Sequence, residues 1–241
     1  MTIFYYAYGS SSIASHIAIE ETGIEYLAQR VDLANGEQKT EAYLAINPRG
    51  RVPALKVDNQ PILTENVAIL YYLAEQFPEA KLLPTDTFAK AQVISLAAFF
   101  ASSVHVAHRH IRQPHQYTTD ESAFAEIQAI GRKTFWNYLQ EIDRLLTGKE
   151  WLFDQYTIAD PYALIFYWSG VRQKLPVQDL QAFTAHKDRL IQRPAVRRVL
   201  EKDPDAGIVL NLPRREGSAK HYSEIVEGEV SSSNLQLNRS T

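Results

Sequence analysis

The sequence predicts a two-part chain, a small α/β unit followed by an all-helical one, and three observations carry that reading. Residues 3–33 show strand, helix and strand patterns in turn. A hairpin and an amphipathic helix follow, up to Gln76. Beyond a proline-punctuated stretch at 77–84 only helical periodicity recurs until the C-terminal residues. At 241 residues the chain is long enough to hold two cores.

Ile3 to Ala7 is an aromatic and β-branched run that ends at Tyr8-Gly9-Ser10-Ser11-Ser12, after which Ile13, Ile17 and Ile19 fall at helical spacing. Gly23 stops that helix, and Tyr26 to Leu33 reads as a second strand; a parallel pair of strands needs such a helical crossover. Val52 to Val57 and Pro61 to Leu63 flank the polar turn Asp58-Asn59-Gln60 and predict a hairpin. From Glu65 to Gln76, Val67, Ile69, Leu70, Leu73 and Phe77 mark an amphipathic helix entered from Thr64 and closed by Pro78. Further helices are expected over Ala89 to about His110, Ser122 to Leu146, Ile158 to Gln173, Gln181 to Arg189 and Pro194 to Leu200. Periodicity is lost from Asp203, and residues 216–241, rich in Ser, Glu and Asn, read as a poorly ordered tail with no assigned function.

Composition excludes several functions. The net charge of -3 argues against a nucleic-acid surface, which would show as a basic stripe. The start lacks the basic flank and apolar stretch of a signal peptide, and no apolar run reaches the ~18 residues needed to cross a bilayer, so no membrane association and a cytoplasmic location are expected. With no cysteine there is no disulfide, no thiolate zinc site and no Cys-x-x-Cys redox pair. His105 and His108 share a helical face, with His110 and His115 nearby. No acidic ligand pattern accompanies them, so no metal is assigned.

The phrases Ala45-Ile46-Asn47-Pro48-Arg49-Gly50-Arg51-Val52-Pro53-Ala54-Leu55 and Leu63-Thr64-Glu65-Asn66-Val67-Ala68-Ile69, with Thr157-Ile158-Ala159-Asp160 further on, a capping-box variant at a helix start, resemble the hallmarks of the cytosolic glutathione transferases. The similarity runs from Met1 to about Leu200 and is nearest the bacterial beta class. It implies a thioredoxin-like glutathione-binding domain over residues 1–78, a linker at 79–87, an all-helical second-substrate domain at 88–203 and a flexible polar tail at 204–241. The activity it implies is conjugation of glutathione to a small hydrophobic electrophile by a homodimer, with no cofactor beyond glutathione as co-substrate. A non-catalytic ligand-binding, regulatory or interaction module of the same fold is the alternative.

The resemblance also implies site residues, and each has a physical rationale. Pro53 would follow a cis bond, which X-Pro sequences adopt for about 0.5 to 1 kcal/mol against ~3 elsewhere. Val52, flanked by Arg51, would then offer its backbone to the cysteinyl part of glutathione like an added strand. Glu65 and Asn66 open a helix whose free N–H groups suit the γ-glutamyl carboxylate, with Glu65 meeting the ligand ammonium and the Asn66 amide donating to the carboxylate. The beta class places a cysteine in the first turn. Aligning His16 with the histidine that follows it puts Ser11 at that position, with Ser12 the second choice, Ser10 a neighbour, and Tyr5 and Tyr6 as further thiol donors. A thiol of pKa near 8.5 needs about 2.7 kcal/mol to fall by roughly two units, within reach of a hydroxyl donor plus a helix dipole. His105 corresponds to a histidine that reaches the glutathione site from the second domain. The lysine expected beside it is Val106 here, and a loop lysine before Ala45 is also unmatched. Phe99, Ser103, Val106 and Arg109 are the candidate wall for the second substrate.

Overall fold

The computed structural model describes residues 1–204 and Ala206. The expected tail at 204–241 therefore lies, apart from residues 204 and 206, outside the described residues. Strands β1 (Thr2–Tyr6), β2 (Leu27–Arg30), β3 (Ala54–Val57) and β4 (Leu63–Thr64) form one sheet in the order β2-β1-β3-β4. Helix α1 (Ser12–Thr22) carries the chain between the parallel pair β1 and β2, while β3 runs antiparallel to both β1 and β4. This is the thioredoxin-like arrangement expected from the sequence. β2 is shorter than predicted because the Asp32 carboxylate accepts the Ala34 and Asn35 N–H groups and curls the chain away from the sheet.

Side-chain alternation on β1 divides the core. Phe4 faces the main apolar cluster with Ile17, Leu55 and Leu70, whereas Tyr5 faces a smaller one with Val31, Tyr43 and Ala54. Tyr43 belongs to α2 (Glu41–Ile46), a helix the periodicity did not reveal, which starts where the Thr40 hydroxyl accepts the Tyr43 N–H. Six residues are too few to show a 3.6-residue repeat; the Thr40-Glu41 start was the available signal. On the other face lie α1 and α3 (Asn66–Gln76), the latter burying Ile69, Leu70, Leu73 and Ala74.

Beyond Thr64 the described residues form helices and loops only. The predicted helix at 89–110 is a longer rod: α4 (Thr87–Phe99), a π-helical turn over Phe100–Val104, and α5 (His105–Arg112). It begins early because the Asp86 carboxylate accepts the Ala89 N–H. Contrary to the expectation from apolar runs, this 26-residue rod is long and apolar enough to cross a membrane by length and composition. Here it packs on α3, on α6 (Phe124–Leu146) and on α7 (Ala159–Arg172). α8 (Gln181–Leu190) and α9 (Pro194–Leu200) complete the bundle.

α7 is the axis of the molecule, with every residue from Ala159 to Gly170 buried. Its start is the expected capping box: the Thr157 hydroxyl accepts the Ala159 N–H and the Asp160 carboxylate accepts the Thr157 N–H at 2.7 Å. Asp160 does more than that motif requires, since it also accepts the Leu152 N–H and the His186 Nε2–H, each at 2.9 Å. The two parts of the chain share one apolar core, with α1 packed on α7 and α9. Ion pairs close its rim: Arg193 grips Glu21 through Nε at 2.7 Å, and Arg198 and Lys202 hold Glu20 at 2.6 and 3.1 Å.

Candidate active site

The loop from β1 into α1 is set from behind. Gly9 has a φ of 57°, a backbone that favours glycine, and a Cβ there would lie 2.5 Å from an Arg172 guanidinium nitrogen, which would have to shift. The Gly9 N–H donates to the Asp203 carboxylate at 2.7 Å, which ties the loop to the far end of the chain.

The three serines then divide. The Ser10 and Ser12 hydroxyls lie 2.6 Å apart and both bond the Ala7 backbone, and Ser12 is buried. Ser11 stands at the N-cap of α1, half-buried, with no capping bond from its side chain. Its hydroxyl is the one in the run that the fold leaves uncommitted. The Ser11 carbonyl accepts from Asn66 Nδ2 at 3.0 Å, so the starts of α1 and α3 are held side by side.

Asn66 therefore has a part beyond the one expected. Its amide donates one N–H to the Ser11 carbonyl and accepts the Ser15 hydroxyl on Oδ1 at 2.7 Å, so the side chain couples two helices. For an anion α3 also offers the free backbone N–H groups and positive dipole of its first turn. Glu65, at the N-cap of α3, is exposed and sits at φ 73° and ψ 128°, a conformation rarely adopted by a residue with a side chain. Backbone strain of this kind costs on the order of 1–3 kcal/mol and clusters at ligand-binding positions.

Between these helix starts and the sheet lies the Val52-Pro53 corner, whose peptide bond is cis as the resemblance implied. Pairing of β3 begins only at Ala54, opposite Tyr5 and Thr64, so Val52 belongs to no ladder pair. The preceding residues form a tight turn. Buried Asn47 donates to the Arg51 carbonyl at 2.7 Å and accepts the Arg49 N–H, and the Tyr43 hydroxyl donates to the same carbonyl. Gly50, at φ 58°, would bring a Cβ to 2.9 Å from the Gln38 carbonyl oxygen. Asn47, Gly50 and Ser15 thus shape the corner and the helix starts. Only the Asn-Pro-Arg-Gly turn pattern could have indicated the first two in advance.

Two tyrosines of β1 and one histidine are accounted for by packing. Tyr5, expected among the glutathione contacts, is buried edge-on against Tyr43 on the α2 face of the sheet, in the small cluster on which Val52 also packs. The Tyr6 ring lies 4.6 Å from His16, and burial together with neighbouring Tyr8 pushes its hydroxyl up to about 12, so it stays a phenol. Tyr26 donates to Glu20 at 2.6 Å, so His16 Nε2 must donate to the Tyr26 oxygen at 2.9 Å. Burial, then Lys202, pushes the His16 imidazole down to about 3.

The opposite wall is the rod at 87–112, and its π-helical turn falls immediately before His105, a placement typical of functional positions. Burial lowers the His105 imidazole to about 4, with Arg109 and Arg51 adding to the effect, so it is neutral at pH 7 and lies within the field of the Val52 corner. Ser103, Val106 and Arg109 are half-buried on this wall. Phe99 instead packs edge-on against Tyr138 at 5.2 Å, inside the helical bundle.

Comparison with known proteins agrees with this geometry. Residues 1–75 match the glutathione S-transferase N-terminal domain family. The glutathione S-transferase GstA of Escherichia coli O157:H7 is 31% identical over 83% of this chain and 97% of its own length. A glutathione transferase homologue from Sulfitobacter, solved with bound glutathione, is 34% identical with a TM-score of 0.79 over 84% of this chain and 98% of that one. The bacterial beta-class enzyme of Sphingomonas chungbukensis is 31% identical with a TM-score of 0.74, covering 83% and 98% of the two chains. Together with the cis Val52-Pro53 corner and the paired starts of α1 and α3, these similarities establish that the chain belongs to the glutathione S-transferase family.

Proposed function

We propose that the protein is a glutathione transferase in which Ser11 stabilises the glutathione thiolate and delivers it to a small hydrophobic electrophile held against the wall of Ser103, Val106 and Arg109. The observation that carries this reading is the uncommitted Ser11 hydroxyl at the start of α1, coupled through Asn66 to the start of α3. The tripeptide would lie with its γ-glutamyl carboxylate on the first-turn N–H groups of α3, its ammonium near Glu65 and its cysteinyl backbone along Val52. The thiol proton passes to solvent, the Ser11 O–H donates to the sulfur, and the thiolate attacks the electrophilic carbon as the leaving group departs. Neutral His105 adds a hydrogen-bonding group without a charge. A protein sulfur has no part, since the chain holds no cysteine.

Retention on immobilised glutathione followed by turnover of a panel of aryl halides and activated alkenes tests the reading. Retention with turnover is expected. Retention without turnover or thiolate would favour a ligand-carrying or regulatory module, the reading that the missing cysteine and lysines suggest.

The homodimer belongs to the same proposal. Only 22% of the most apolar window of the rod at 87–112 is buried, and Phe88 and Tyr71 are 73% and 44% exposed, so a second copy has apolar surface to cover. Light scattering at micromolar concentration should give twice the chain mass; a monomer contradicts it.

A further inference from the structure

We propose that the second-substrate pocket selects electrophiles that carry a carboxylate, and that Arg109 on α5 is the residue that receives it. The inference rests on the transferase reading above and adds the chemical class of its second substrate.

Charge is distributed unevenly in a chain whose net charge is -3. From Thr87 to Thr119 there is no Asp or Glu, while the same stretch holds Lys90, Arg109, Arg112 and four histidines. His105, Arg109 and Arg112 follow one another at i, i+4 and i+7 and so share a face of α5. Arg51 lies on the turn whose carbonyl is pinned by Tyr43 and Asn47, and its charge, like that of Arg109, adds to the burial that lowers the His105 imidazole. Among the described residues, Arg51, Arg109 and Arg112 meet no carboxylate. On the far side of the molecule Arg193, Arg198 and Lys202 are all neutralised by Glu20 and Glu21.

Cations without a carboxylate partner raise the local concentration of anions and favour their binding. Glutathione accounts for part of this charge: its γ-glutamyl carboxylate goes to α3, and Arg51, beside Val52, is placed for its glycyl carboxylate. Arg109 remains. It is half-buried on the wall shared with Ser103 and Val106, where a carboxylate would bind it bidentately.

The test compares 4-chloro-3-nitrobenzoate with its methyl ester. In each, the thiolate sulfur forms a bond to the ring carbon that bears chlorine, and chloride leaves with the bonding electron pair. Rates are divided by the uncatalysed rates, and Kd is measured by calorimetry for glutathione and for the two conjugates, S-(4-carboxy-2-nitrophenyl)glutathione and its methyl ester. Wild type should accelerate the benzoate at least ~10-fold more than the ester, R109Q should bring that ratio close to one, and R109K should restore part of it. An equal ratio in wild type and R109Q overturns the proposal. So does a large loss of glutathione affinity in R109Q with the ratio intact, which would assign Arg109 to glutathione. If wild type binds glutathione but turns over neither compound, the transferase reading fails, and the conjugates decide the inference. Binding of the carboxylated conjugate that is ~10-fold tighter in wild type and lost in R109Q upholds it; equal binding of the two overturns it.

Discussion

Glu65 combines three properties that rarely meet in one residue: an exposed acidic side chain, a positive φ of 73° and the N-cap position of a half-buried helix. A glycine or asparagine would relieve the backbone, so the carboxylate is retained at some conformational cost. Its proposed partner is the glutathione ammonium. Glu65→Ala should therefore weaken glutathione binding by roughly 1 to 3 kcal/mol, about 5- to 150-fold in Kd, with unfolding unchanged. Calorimetry checks the first and urea titration the second; unchanged affinity removes Glu65 from the site. At this scale the sequence made legible what is set locally, the cis bond before Pro53 and the place of Glu65 at the start of α3. It did not reveal that the Asn66 amide would bridge Ser15 and the Ser11 carbonyl, because nothing local announces that contact.

Elements matter here chiefly through how they begin. α7 lies wholly inside the protein, so its first-turn N–H groups cannot turn to water, and Thr157 and Asp160 must satisfy them. Asp160 also takes up the Leu152 N–H and His186, so its loss strands several buried donors at once. Asp160→Ala should cost about 3 kcal/mol or more in urea unfolding at pH 7, well beyond the ~1 kcal/mol of an exposed cap; a loss under ~1 kcal/mol would contradict this. The capping box and the long helices were legible because capping and periodicity are written within a few residues. α2 was too short to register, and the π-helical turn before His105 leaves no mark in a 3.6-residue pattern. The division of Ser10, Ser11 and Ser12 depends on how the loop curls over Ala7, and Asp203 meets Gly9 across nearly the whole chain.

Across the whole molecule, buried neutral histidines link stability to pH. Burial first, then Lys202 at His16, Arg109 at His105 and the neighbouring His105 and Arg112 at His108, push the imidazoles of His16, His105 and His108 down to about 3, 4 and 3. An unfolded chain binds protons at these histidines near their ordinary 6.5, so below that pH it takes up protons that the folded protein refuses. Stability is fully present above about 6.5 and falls as pH drops toward 4, by up to ~1.4 kcal/mol per pH unit for each histidine. Urea titrations at pH 7.5, 6 and 5 should show that decline, and a flat profile would contradict the buried, neutral state of all three. The fold that sets this state is the one that joins the two parts of the chain, since His16 is braced by Tyr26 beneath the Glu20, Arg198 and Lys202 cluster.

The account depends most on Ser11, and the absorbance of the bound thiolate near 240 nm, followed against pH in wild type, Ser11→Ala and Ser12→Ala, tests that dependence directly. Wild type should hold glutathione as thiolate well below the free thiol's pKa near 8.5. Ser11→Ala should move the transition up by about one unit and slow turnover roughly tenfold, with little change in affinity. Ser12→Ala, which breaks the bonds to Ala7 and Ser10, should act mainly on stability. A transition unmoved in Ser11→Ala, or moved only in Ser12→Ala, would contradict the assignment.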